Sequence, residues 1–226
     1  MPEEPGLIAL LGGGEWQAGC EPVDEALLAA AGTDQVTILP TAAAFERPER
    51  AVAHAEAYFA RLGAKVRPLM VLRRADAQDP AMAEAIGASR FVYLGGGSPL
   101  HLRSVLKDSK VWSALVEAWQ AGAVVAGSSA GAMVLTDPMV DPRGGALTVG
   151  LGLVRGLAVV PHYGQENAEK VHRSVTLAAA DLAVVGVPER TAVLRDPSGS
   201  WQVLGAGSVQ VFVGGEPADL DALPRS

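Results

Sequence analysis

An α/β fold built on a mostly parallel sheet, covered on both faces, is predicted by two observations. Short apolar runs alternate with helix-periodic segments through the first two-thirds of the chain. From Thr191 on the rhythm changes to short strands joined by tight turns such as Asp196-Pro197-Ser198-Gly199. That end predicts an antiparallel meander on the edge of the sheet.

The elements follow in order. Leu7 to Leu11 reads as a buried strand ending in Gly12-Gly13-Gly14. Pro22 to Ala31 reads as a helix, and Val36 to Leu39 as a second strand stopped by Pro40-Thr41. Glu49 to Leu62 is an amphipathic helix with Ala51, Ala55, Tyr58, Phe59 and Leu62 on one face. Val66 to Leu72 is a third strand, and a short helix runs from Pro80 to Ile86. Phe91 to Leu94 is a fourth strand ending in Gly95-Gly96-Gly97. Val111 to Gln120 is a helix, and the strand Val124-Val125 feeds the next turn. Leu157 to Val160 and Leu182 to Val187 are strands separated by a helix from Asn167 to Ala180. Thr191 to Leu194, Trp201 to Leu204 and Val209 to Val213 complete the meander.

The 226 residues suit one large domain, no linker divides them, and the polar stretch 214–226 is expected to be a loose tail. A net charge of −7 argues against non-specific nucleic-acid binding, which needs a basic surface, and leaves room for a local basic pocket. One cysteine, Cys20, excludes an intrachain disulfide and a cysteine-built metal cluster, and no metal or organic cofactor is implied. The acidic, Pro-rich start is unlike a secretory signal, and no apolar run has the length of a membrane span. A cytoplasmic location is expected. Exposed edge strands could pair two copies into a homodimer.

The stretch Gly127-Ser128-Ser129-Ala130-Gly131-Ala132 carries the chemistry. Strand, tight turn and helix with the pattern G-x-S-x-G form a nucleophile elbow. A side chain at Gly127 or Gly131 would obstruct the close approach of strand and helix. The turn pushes the Ser129 hydroxyl into the open, beside free N–H groups that favour a developing oxyanion. Serine needs a base, and the base an orienting acid. Of the four histidines, His54 and His172 lie on helices and His101 lacks a strand end. His162 follows a strand and Pro161, and Glu189 follows a strand and Pro188. In open α/β sheets ligands gather at the carboxyl ends of strands. The order Ser–His–Glu also separates the chain from α/β-hydrolases, where the acid precedes the histidine. Glu166 is the reserve carboxylate. Glycines 95–97 let an N–H of Gly96 or Gly97 join that of Ala130 in an oxyanion hole. Gly12-Gly13-Gly14 has two readings, a lining of the same edge or a plain turn of the chain, of which the turn is favoured.

These residues resemble peptidase family S51, the group of aspartyl dipeptidases and cyanophycinases. The matching pieces are Leu94 to Gly97, Gly127 to Ala132, Pro161-His162-Tyr163 and Val187-Pro188-Glu189. The resemblance implies a flavodoxin-like three-layer sandwich related to class I glutamine amidotransferases. Those relatives carry cysteine at the elbow, so serine here disfavours amide transfer from glutamine. It further implies a short peptide as substrate, with Ser98, Tyr163 and Arg173 in substrate binding and dipeptides with an N-terminal aspartate as the first expectation. Other serine hydrolysis, including cyanophycinase-like cleavage of β-linked aspartyl peptides, is one alternative. A non-catalytic binding protein on an amidotransferase-like fold is the other.

Overall fold

The computed structural model describes residues 4–165 and 168–225. The first part of the chain runs β1 (Ile8–Leu11), α1 (Glu21–Ala31), β2 (Gln35–Leu39), α2 (Pro48–Arg61) and β3 (Lys65–Pro68). It continues through α3 (Arg74–Ala77), α4 (Pro80–Gly87), β4 (Phe91–Leu94), α5 (Pro99–Leu106), α6 (Lys110–Gln120), β5 (Val124–Ser128) and α7 (Ala130–Leu135). Strands β1 to β5 are mutually parallel in the spatial order β1-β5-β4-β2-β3. The carboxyl ends of β1, β5 and β4 are therefore neighbours, and all three lead into Gly- or Ser-rich turns. This is the flavodoxin-like three-layer α/β class that the sequence predicts.

Alternate residues of each strand feed opposite layers, as the pleat requires. Ala9 and Leu11 pack with Val23 and Leu27 of α1 and with Tyr58 and Phe59 of α2. Ile8 and Leu10 face the other way, into a larger core with Leu102, Leu106 and Leu115 of α5 and α6. No helix is long and apolar enough to cross a membrane, among the described residues.

The rest of the chain forms β6 (Thr136–Asp137), β7 (Met139–Val140), β8 (Leu147–Thr148), β9 (Val154–Arg155), β10 (Leu157–Val160), α8 (Ala168–Thr176) and β11 (Ala183–Gly186). After these come β12 (Thr191–Arg195), β13 (Trp201–Gly205), β14 (Gln210–Val213) and β15 (Glu216–Ala218). Here the structure corrects the expectation of one sheet. Only β12 and β13 extend the main sheet, antiparallel at the β1 edge. Strand β14 leaves the meander and pairs with β11 in a separate sheet ordered β15-β14-β11-β10-β6-β9. Apolar alternation marks a strand but does not say which edge it pairs with.

Three local corrections have clear causes. Helix α5 escaped the periodicity reading, although Ser98 as N-cap and Pro99 behind it are a start signal; Ser98 Oγ accepts the His101 N–H at 3.3 Å. The third strand is shorter than its apolar run, ending at Pro68. The tail is ordered from Gly214 to Arg225: β15 pairs with β14, and Leu223 is 2% exposed. Trp201 Nε1 donates to the Pro224 carbonyl at 2.9 Å, and the Arg195 guanidinium donates to that of Arg225. Composition showed the polarity of this tail but not the partners waiting for it.

Candidate active site

The elbow is held open by its two glycines. A Cβ on Gly127 would stand 2.5 Å from the Gly131 carbonyl carbon, and one on Gly131 would stand 2.2 Å from the Leu94 carbonyl oxygen. Between them Ser129 adopts φ 48° and ψ −106°, a conformation that L-residues rarely take. Its amide is pinned by the Leu11 carbonyl at 3.0 Å. Ser128 is fully buried while Ser129 is half-buried, so the turn exposes one hydroxyl only.

The structure brings Ser129, His162 and Glu189 together across the junction of the two sheets. Ser129 Oγ lies 2.9 Å from His162 Nε2, and His162 Nδ1 lies 2.9 Å from Glu189 Oε1. A carboxylate only accepts, so Nδ1 carries the proton and Nε2 is free to accept from the serine. The His162 hydrogen bond, aided by Gln165 and Arg190, holds the Glu189 carboxyl below the usual carboxylate range. His162 and Arg190 also have positive φ, 51° and 55°. Of six non-glycine residues with positive φ among those described, Ser129, His162, Arg190 and Trp16 cluster here, where strain is held by surrounding structure.

Gly12-Gly13-Gly14 does more than turn the chain. The Gly12 carbonyl accepts the His162 N–H at 2.7 Å, and the Gly13 carbonyl accepts the Arg190 N–H at 2.8 Å. A Cβ on Gly13 would stand 2.3 Å from the imidazole Cε1. The first strand's glycine turn thus holds the backbone at His162 and at Arg190, next to Glu189. The favoured reading of a plain turn is thereby corrected toward the other one, a run that lines the site's edge.

The other expected residues divide. Gly97 and Ala130 line a cavity of about 250 Å³ beside Ser129, together with Met133, Pro142, Lys170 and Ser174. Gly97 needs its φ of 131°, and a Cβ there would meet the Ala42 carbonyl oxygen at 2.4 Å. The Ala130 N–H opens a helix and so has no intrahelical acceptor. The Gly96 N–H, by contrast, is already given to Glu15 Oε1 at 2.8 Å. Ser98 spends its hydroxyl on capping α5 and its N–H on the Ala42 carbonyl. Tyr163 packs its ring on Gly186, where a Cβ would approach Cδ2 to 2.2 Å, and it lines a different groove. Arg173 is exposed, pairs with Glu169 at 3.5 Å and faces an adjoining cleft with Arg143. Glu166 lies outside the described residues.

Two residues went unread in the sequence. Lys170, one turn before Arg173, lines the Ser129 cavity and donates to the Pro142 carbonyl at 3.0 Å. Glu15, directly after the first glycine run, reaches both the Gly96 N–H and the Ser128 hydroxyl, the latter at 2.7 Å. The Asp137–Gly150 segment forms the β7–β8 hairpin, and Val140, Asp141, Pro142 and Gly145 give the cavity its outer wall.

A serine–histidine–carboxylate relay at strand ends of a flavodoxin-like sandwich defines a serine-hydrolase class of site. The chain belongs to peptidase family S51, whose model matches residues 8–200. It is 28% identical over 162 residues to a cyanophycinase of Synechococcus elongatus, a match covering 67% of this chain and 49% of the relative, so the chain spans about half that relative's length. A cyanophycinase of Trichormus variabilis is 28% identical over 228 residues, covering 94% of this chain and 74% of the relative. A crystal structure of a peptidase from an acI-B1 Actinobacterium superposes with a TM-score of 0.86 at 26% identity, covering 96% of this chain and 95% of the other.

Proposed function

We propose that this protein is a serine peptidase that hydrolyses short peptides whose N-terminal residue is acidic. The observation that carries the reading is the unbroken relay of two 2.9 Å contacts, Ser129–His162–Glu189, opening onto a 250 Å³ cavity. A cavity of that size takes one side chain rather than a folded polypeptide.

Ser129 Oγ attacks the scissile carbonyl while His162 Nε2 takes its proton. The N–H groups of Gly97 and Ala130 stabilise the tetrahedral oxyanion. His162 returns the proton to the leaving amine, and water then repeats the sequence on the acyl-enzyme. Glu189 keeps the imidazole in the reactive tautomer and stabilises its charged form. Lys170 supplies a cation in the cavity and takes the place expected of Arg173 in holding the acidic side chain.

A panel of Asp-X, Glu-X, Leu-X and β-Asp-X dipeptides, tested with wild type and Ser129→Ala, decides the matter. Cleavage of Asp-X that vanishes in the variant supports the reading. Cleavage of Leu-X at an equal rate would remove the acidic preference. The names of the curated relatives favour a second reading, cyanophycinase-like hydrolysis, which cleavage of β-Asp-X alone would support.

A further inference from the structure

Glu15 places a negative charge beside a reaction that itself develops negative charge. Its Oε1 accepts the Gly96 N–H at 2.8 Å and its Oε2 accepts the Ser128 hydroxyl at 2.7 Å, so both donors call for an acceptor-only, ionised carboxylate. The group is close to the nucleophile. A methyl built on Gly96 would stand 2.8 Å from Glu15 Oε1 and 3.6 Å from Ser129 Cβ. Glu15 is half-buried, and among the described residues it forms no ion pair. Trp16, at φ 60°, fixes the turn that carries it.

An uncompensated anion so near an oxyanion hole raises the energy of the tetrahedral intermediate. One hydrogen bond to each carboxylate oxygen leaves a lone pair on both, and the side chain is only half-buried. We infer that the missing cation is brought by the substrate: Glu15 binds the free α-ammonium of the residue whose carbonyl Ser129 attacks. In an aminoacyl group the nitrogen sits two bonds from the carbonyl carbon, so covalent geometry keeps it near the oxyanion. A cationic side chain is the weaker fit, because Lys170 already holds the side-chain cavity with the same sign of charge. Glu15 thereby makes an unblocked N-terminus a condition of fast cleavage. This inference rests on the serine-peptidase reading and narrows its substrates to those cut after their first residue.

The test uses diphenyl 1-aminoethylphosphonate and its N-acetyl counterpart, which phosphonylate an active serine with loss of phenol. The wild-type protein should react with the free amine faster by roughly ten-fold or more, the usual scale for an interacting charge pair near a site. In Glu15→Gln, which keeps an acceptor for Gly96 and offers Ser128 a donor, the ratio of the two rates should fall toward one. Equal rates in wild type would overturn the assignment without reference to any variant. A Glu15→Gln protein that slows both probes alike and keeps the ratio would also overturn it, leaving Glu15 as a positioning residue for the Gly95–Gly97 turn. Failure of a simple fluorophosphonate to label Ser129 is a separate result, and it would sink the serine-peptidase reading itself.

Discussion

Ser129 owes its exposure to a backbone angle that its neighbours force on it, and this makes its loss a clean experiment. Ser129→Ala keeps the two glycines that shape the turn, so the fold should survive, as a thermal melt will show. Turnover should drop on the order of 10⁶-fold, against a smaller loss on the order of 10⁴-fold for Glu189→Gln, whose carboxylate acts through His162. At the cavity, Lys170→Met should cost roughly ten-fold or more in kcat/KM on Asp-X substrates, whereas Arg173→Ala, exposed and paired with Glu169, should cost less than about three-fold. The same contrast explains what was legible at this scale. Ser129, His162 and Glu189 carry chemistry in their identity and sit after strands, so they could be read. Lys170 and Arg173 are both cations on one helix, and only the way α8 faces the cavity separates them.

At the scale of the element, the turn after β1 matters more than its composition announces. Gly13→Ala would drive a Cβ into the imidazole and demand φ 124° of an alanine. A displacement of about 1 Å in the base costs on the order of 10²-fold in rate, so kcat/KM should fall by about that amount. The melting temperature should fall too, by the equivalent of about 1–3 kcal/mol. Most elements were visible in the sequence because the main sheet is buried on both faces and reads as unbroken apolar runs. Helix α5 was not, since its start is written in a cap and a proline rather than in a period. The tail was misread because its anchors are backbone groups and one leucine.

For the molecule as a whole, a pH dependence is set by a carboxyl buried under α1. Asp24 is fully buried in the layer of α1 and α2, and burial, opposed only in part by the Tyr58 hydroxyl, pushes its carboxyl up to about 7. The unfolded chain loses that proton near pH 3.9. Between there and about pH 7 the native state holds a proton that the unfolded state has released, so stability falls as pH rises and levels off above 7. Asp24→Asn should flatten this slope and raise stability at pH 8 by up to about 4 kcal/mol, read as a higher melting temperature, with little difference at pH 4. Melts of both proteins across pH 4 to 8 check the sign; a wild type that stabilises with rising pH over this range would contradict it. The division into two sheets belongs to this scale as well, and no local pattern announces it.

That division makes the active site a seam. Ser129 hangs from the main sheet, and β10 and β11 of the other sheet deliver His162 and Glu189. Either half, formed alone, would hold secondary structure and no reactivity. Reaction with a fluorophosphonate therefore reports docking of the halves rather than formation of either. During refolding from denaturant, labelling of Ser129 should trail the recovery of the far-ultraviolet circular dichroism signal, because it waits for contacts between residues far apart in the chain. Simultaneous recovery would mean that the halves close as they form.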